Sequence, residues 1–277
     1  MKTILITGGT NGLGKGIALE LLKNNHKVVV VGSSNENGNK FLVEANDLGA
    51  KERAYFIKGN LSLLEDNKKI IEEVNKQFDS LNIVIFCAEK HNLEYIETRE
   101  GIESSFALSY LSRFLLSYGL KELLEKSSEP MILNFCGSGM KGEPNWSDLQ
   151  HKKSFAPQKV MMHGSRLNDL LGVQFVKNDR VNKIKYIMYN PWAVKTPGMM
   201  EFFKNPLMKM MYKIIGKTVD KAVLPVMKII NNPPSVMFSA YREEKVLDLN
   251  HYSYNLENAK KLYDITVKFL SDENTIL

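Results

Sequence analysis

The chain has 277 residues, 44% of them hydrophobic and 25% charged, a composition ordinary for a globular protein that buries one sizeable core and contrary to long disorder. With 37 basic and 31 acidic residues the formal charge is +6, yet no block of five or more like charges occurs and no basic face interleaved with aromatics can be read. This argues against a nucleic-acid partner and suits an anionic small molecule.

The first element predicted is a strand, Thr3 to Thr7, that breaks into Gly8-Gly9-Thr10-Asn11-Gly12-Leu13-Gly14 and then into a helical pattern at Ile17, Leu21 and Leu22. A helix opened in this way points unpartnered backbone N–H groups, and the positive end of its dipole, at the loop. Glycines there let a diphosphate approach closely. A tight connection with no ligand would look similar, but the legible strand before, the helix after, and the second strand from Lys27 to Val31 favour a nucleotide site. No run of roughly eighteen apolar residues occurs, so no membrane span is predicted. The motif starts close to Met1, which leaves a signal peptide no room and makes a cytoplasmic location the expectation. Cys87 and Cys136 are too few for a disulfide framework or a metal site; buried thiols are expected.

The spacing of Thr7, Gly8, Gly12 and Gly14 resembles the cofactor loop of the short-chain dehydrogenase/reductases, in particular the branch of retinol dehydrogenases and protochlorophyllide reductases. The resemblance implies an α/β, Rossmann-like, doubly wound parallel sheet in a single domain over residues 1–277. It assigns cofactor contacts to Gly8, Thr10, Asn11, Gly12, Leu13 and Gly14. After the second strand, Gly32-Ser33-Ser34-Asn35 carries no acid to hold a ribose 2′-hydroxyl, and Lys15 is near in sequence. NADP(H) is therefore favoured over NAD(H), with Ser33 where the branch often has arginine. A helical stretch at Phe41–Leu48 leads to a third strand, Ala54–Ile57, and to Asn60-Leu61, the place of the family's adenine-binding Asp-Leu pair; Asn60 retains a carbonyl acceptor. Another helical pattern runs through Ile70, Ile71, Val74 and Phe78. The fourth strand, Leu81–Phe86, ends in Cys87-Ala88-Glu89, keeping only Ala88 of the family's Asn-Asn-Ala-Gly and adding the bulk and charge of Glu89.

Residues 101–116 resemble the branch's central helix, whose active-site asparagine falls on Ser109. A fifth strand, Met131–Phe135, ends in Cys136-Gly137-Ser138-Gly139. Strict register puts the family's active serine on Gly137, one residue before Ser138, which is as readily an ordinary loop serine. The expected Tyr-x-x-Ser-Lys-Leu reads Met162-His163-Gly164-Ser165-Arg166-Leu167. The sixth strand, Ile184–Tyr189, runs into Pro191, Trp192, Val194 and Thr196, similar to the segment along the nicotinamide, with Trp192 in place of glycine. Residues 197–217, rich in methionine and phenylalanine, match the substrate lid. Core packing or dimer contact explains them equally, and membrane-surface binding through Lys204, Lys209, Lys213 and Lys217 ranks behind both. A helix from Val219 to Ile230, a strand near Val236–Ala240 and an end helix around Ala259–Leu270 complete the chain.

Carbonyl reduction on this scaffold uses a tyrosine to pass a proton and a lysine one helical turn on to lower its pKa. Met162 has no proton to give, and Arg166 holds its own at any relevant pH. Ser138, Arg166 and Ser109 are the remaining candidates for catalysis. His163 points about 100° away from the tyrosine position on its helix, while Tyr110 and Tyr189 lie near the expected pocket. His151 falls in a loop. Three readings follow: an NADP(H)-binding oxidoreductase of this family without its relay, a non-redox enzyme for dehydration or cyclisation, or a binding or scaffold protein. The implied partners are a small, apolar substrate and, by analogy alone, a second copy of the chain in a homo-oligomer.

Overall fold

The computed structural model describes residues 1–140, 142–203 and 205–273. Seven parallel strands, β1 (Thr3–Thr7), β2 (Lys27–Gly32), β3 (Ala54–Lys58), β4 (Ile83–Phe86), β5 (Met131–Phe135), β6 (Lys185–Asn190) and β7 (Phe238–Arg242), form one sheet in the order β3-β2-β1-β4-β5-β6-β7. A short β8 (Lys245–Val246) pairs antiparallel with β7 at the edge. The order reverses between β1 and β4, whose registers align Ile4 with Ile83 and Thr7 with Phe86. In a doubly wound sheet that reversal opens the crevice where ligands bind, outside the carboxyl ends of the strands. The doubly wound, single-domain expectation is met.

Strand alternation sorts the core into two layers. Leu5, Val29, Val84, Ile132, Tyr186 and Met188 face one side of the sheet, while Ile4, Val28, Ile83, Leu133, Ile187 and Tyr189 face the other. Against the second layer lie α1 (Gly12–Lys23), α2 (Asn35–Asp47) and later α10 (Val219–Asn231). The first is covered by α3 (Leu64–Gln77), the central helical segment, α7 (Pro157–Asn178) and α11 (Leu256–Asp272). The central segment runs from α4 (Ser104–Phe106) through a π-helical turn, Ala107–Leu111, into α5 (Ser112–Gly119), with α6 (Lys121–Glu125) after it. The lid region forms α8 (Pro197–Phe202) and α9 (Pro206–Ile215). Among the described residues no helix is long and apolar enough to cross a membrane, and no group of three metal-ligating side chains gathers.

Several boundaries differ from the periodicity reading: β4 starts at Ile83 and not Leu81, β6 is shifted by one residue, and three others have a visible cause or a larger shift. Helix α2 begins at Asn35, six residues before Phe41, because the Ser34 hydroxyl accepts from the Asn37 N–H and caps it, although its first turn carries no apolar face to betray it. Strand β7 starts at Phe238, two residues later than Val236, which is exposed. The last helix opens at Leu256, where the Asn255 side chain accepts from the Asn258 N–H.

Candidate functional site

Gly8 and Gly12 take left-handed backbone, φ 66° and 53°, where a side chain is strained. A Cβ on Gly8 would lie 2.7 Å from the Ala88 Cα, and one on Gly14 would lie 2.3 Å from the Gly8 carbonyl oxygen. The turn is therefore folded tightly against the end of β4, where the Cys87 N–H donates to the Thr7 carbonyl at 3.1 Å and the Ala88 N–H to the Thr7 hydroxyl at 3.3 Å. Gly12 has only Thr196 near its Cβ position, 3.4 Å away, so the turn and the segment after β6 face each other across the crevice. Asn11 caps α1 by accepting from the Gly12 N–H at 2.7 Å, and the partly exposed Thr10 leans on Gly32 beside Ser33. Leu13 packs into the core beneath the turn. Thr196 caps α8, and Pro191 and Val194 lie on the strip between β6 and that cap.

Around the expected adenine end, two side chains are engaged elsewhere. The Asn60 carbonyl accepts from the Ser62 N–H at 3.2 Å and from its hydroxyl at 2.8 Å, a local turn that replaces the free acceptor expected there; Leu61 beside it is buried. Lys15 pairs with Glu44 of α2 at 2.8 Å. Ser33 is exposed at the end of β2, and the first acid beyond it, Glu36, is on the first turn of α2 paired with Lys40.

The centre of the site is a buried polar network whose donors are not those of the resemblance. Arg113, 2% exposed, donates to Asn134 Oδ1 at 2.8 Å, to the Phe135 carbonyl at 2.7 Å, to the Ala88 carbonyl at 3.0 Å and to Glu89 at 2.9 Å. The Glu89 charge is thus neutralised by a cation that fastens β4 to β5. Asn134 donates to Asn168 Oδ1 at 2.9 Å, and Asn168 in turn to the carbonyls of Ser109, at 2.7 Å, and Gly164, at 2.8 Å. The Ser109 carbonyl that accepts this bond belongs to the π turn. Ser109 keeps its hydroxyl on the Ser105 carbonyl at 2.6 Å. A lone arginine in an apolar helix and two adjacent polar residues, Asn168 and Asp169, among leucines were the signals of this network in the sequence.

Arg166 is 2% exposed and pairs with Asp169 one turn on; its Nε and Nη1 have no protein partner. Asp169 also accepts from the Ser138 hydroxyl at 2.6 Å and from the Gly139 N–H at 3.2 Å. Burial pushes its carboxyl up to about 6, against the pull of Arg166, Ser138 and Gly139. Ser138, fully buried, is also 2.9 Å from the Tyr254 hydroxyl. Its hydroxyl is held inside the protein between two partners, not turned to the crevice as the sequence reading allowed. At Gly137 a Cβ would lie 2.6 Å from Met140 Sδ and 2.8 Å from Ser165 Oγ, two side-chain ends that would have to turn aside.

Four further expectations are settled by placement. Tyr110 buries its hydroxyl against Thr266 of α11, 2.7 Å away, and Tyr189 faces the α1 and α10 side of the sheet; neither phenol reaches the α7 side of the crevice. Trp192, where the resemblance expects glycine, takes left-handed backbone, φ 59°, and turns its indole outward, 56% exposed, over the Arg242 guanidinium at 5.0 Å. His163 is buried: it accepts from the Asn145 N–H at 3.1 Å and meets His151 at 3.1 Å, and burial pushes its pKa down to about 3. Met162 is half-buried at the tyrosine position. Both cysteines are free and partly buried, and desolvation pushes the Cys87 thiol up to about 12.

A parallel sheet with its strand order reversing at a glycine turn, and that turn pressed on the next strand, defines a doubly wound α/β protein of the dinucleotide-binding type. The chain belongs to the short chain dehydrogenase family, whose model matches residues 2–148. It is 29% identical over 201 residues to an uncharacterized oxidoreductase of Saccharomyces cerevisiae, covering 70% of this chain and 61% of that one. To retinol dehydrogenase 12 of Mus musculus it is 27% identical over 171 residues, 61% of this chain and 54% of the relative, in line with the retinol dehydrogenase branch. The matched part thus spans between half and two thirds of these relatives' own lengths. Among solved structures, a short chain dehydrogenase from Burkholderia cenocepacia in complex with NADP superposes with a TM-score of 0.68 at 15% identity, over 87% of this chain and 95% of that one. An uncharacterized protein from Mycobacterium paratuberculosis does so at 0.73 and 14% identity, over 98% and 94%.

Proposed function

We propose that this chain binds a nicotinamide dinucleotide, NADP(H) in preference to NAD(H), and is an oxidoreductase-type protein for a small, apolar substrate that lacks the family's tyrosine–lysine proton relay. The observation that carries the reading is the pairing of an intact glycine turn, open at Gly12 toward Thr196, with Arg166 drawn onto Asp169 beside Met162. The residues present fit the group. The turn and the start of α1 offer backbone N–H groups to a diphosphate, Thr196 adds a hydroxyl, and Arg166 has two buried N–H groups that lack protein acceptors and would take ribose hydroxyls. The preference for NADP(H) is supported by Ser33, by the Ser34 cap and by the lack of an acid before Glu36.

When bound, such a cofactor supplies or accepts a hydride. The protein's part is to hold and orient it: Arg166 cannot release a proton, Met162 has none, and Ser109 and Ser138 direct theirs at internal acceptors. Substrate or water must therefore supply the proton. General acid–base assistance is worth on the order of 10²–10⁴-fold, so turnover on simple ketones and aldehydes is negligible. Fluorescence titration with NADPH and NADH, followed by stopped-flow hydride transfer to a carbonyl panel, tests this. Binding with negligible turnover supports the proposal; fast turnover by the unaltered protein overturns it, because neither Tyr110 nor Tyr189 stands on the α7 side of the crevice to supply the proton. A scaffold without catalysis is the second reading, favoured by the internal engagement of Ser138 and Arg166, and failure of both dinucleotides to bind decides for it. A non-redox enzyme would bind the dinucleotide and transform substrate with no change in its redox state.

A further inference from the structure

Helix α9 exposes six apolar side chains in ten residues: Leu207, Met208, Met210, Met211, Ile214 and Ile215, with exposures from 43% to 72%. Only Tyr212 is buried, and it is the foot by which the helix stands on the protein: its hydroxyl donates to the Val194 carbonyl at 2.8 Å and its ring packs on Phe203 with centroids 4.9 Å apart. The segment that follows is pinned by reciprocal backbone bonds, the Lys195 N–H to the Lys217 carbonyl and the Lys217 N–H to the Ala193 carbonyl, both 2.9 Å. The apolar face is held outward, exposed along the length of the helix. Successive residues step by about 100°, so Lys209 and Lys213 share one flank of the helix while the six apolar residues take the arc beside it.

Between Glu201 and Asp220, which close the segment at either end, the sequence holds Lys204, Lys209, Lys213 and Lys217, and α9 itself carries lysines and no acid. Lys204 lies outside the described residues, and Lys217 pairs with Glu243 at 2.5 Å, which leaves Lys209 and Lys213 as the cations of the helix itself. We propose that α9 docks this protein on an anionic lipid surface, its apolar arc entering the boundary between headgroups and acyl chains while Lys209 and Lys213 extend back to the phosphates. Contiguous exposed apolar surface on a monomer marks an interaction site, and an apolar arc flanked by lysines is the pattern of a helix lying in the membrane interface. A second copy of the chain is the poorer occupant. Two-fold pairing through α9 would bring lysine flanks together with no acid within the helix to answer them.

Co-sedimentation of the whole chain with phosphatidylcholine vesicles, with and without phosphatidylserine, tests the proposal. The protein is expected to sediment with the anionic vesicles alone and to be released by high salt. Reversing charge with Lys209→Glu and Lys213→Glu should lower partitioning by about tenfold or more, and Ile214→Ser with Ile215→Ser should abolish it. Lys213, Ile214 and Ile215 are exposed and Lys209 is half-buried, so melting temperatures should stay close to the parent; if the serine pair fails to fold, the charge pair still decides. Absence of sedimentation with either vesicle, equal sedimentation with both, or a dimer in sedimentation velocity that the serine pair disperses would overturn it.

Discussion

Two buried ionisable residues on α7 lend the protein opposite responses to acid. His163 is neutral in the fold, its pKa down at about 3 against an ordinary 6.5, so the unfolded chain takes up the proton first. Its contribution is fully present above about pH 6.5 and is lost as pH falls from there toward 3, on the order of a few kcal/mol in all. Asp169, raised to about 6 from an ordinary 3.8, works the other way: the fold holds that proton more tightly, and the contribution present below about pH 3.8 is lost as pH rises through 6. Urea melts over this range should show His163→Gln flattening the loss of stability in acid and Asp169→Asn making it steeper. At neutral pH Asp169→Asn should also cost about 3–5 kcal/mol, because it leaves Arg166 buried without its counter-charge. A melt within 1 kcal/mol of the parent (roughly the scale of an exposed pair) would show that the pair is solvated.

At the scale of elements, the π turn and α7 hold the crevice together through one amide. Asn168 carries the link from Asn134 on β5 to the Ser109 carbonyl, and Asn168→Ala strands both groups in the core. A loss of about 1–3 kcal/mol per stranded group is expected in denaturant melts. The β1–α1 turn is equally specific. Gly14→Val would drive a side chain into the Gly8 carbonyl, 2.3 Å from the Cβ position, and should remove NADPH binding, read by the titration already described, if the turn is the cradle. Restoring Met162→Tyr with Arg166→Lys should not by itself restore activity. Gly137, where the resemblance places the serine that completes the set, has no hydroxyl, and a steady-state assay that gains turnover from the double substitution would contradict this.

For the whole molecule, a ligand that binds only the folded state stabilises it by about 2.7 kcal/mol at a hundred times its dissociation constant, and so raises the melting temperature with its concentration. A thermal series with NADPH and NADH should show the larger rise with NADPH. Nearly all of this architecture was legible in the amino-acid order. Unbroken apolar strands mark a sheet covered on both faces, and the glycine spacing after β1 fixes where its order reverses. That Met162 and Arg166 stand where the resemblance expects tyrosine and lysine is likewise a reading of the sequence, because those roles depend on residue identity at a fixed helical spacing. What the sequence could not decide was direction. Whether Trp192 blocks the crevice or leaves it, whether Ser138 meets substrate or Asp169, and whether Glu89 is a free charge or the partner of Arg113 depend on residues 24 to 116 positions apart in the chain meeting across strand ends. Local pattern fixes which face an element buries. Only packing in three dimensions fixes which acceptor each buried donor finds, because a donor without one is too costly to keep.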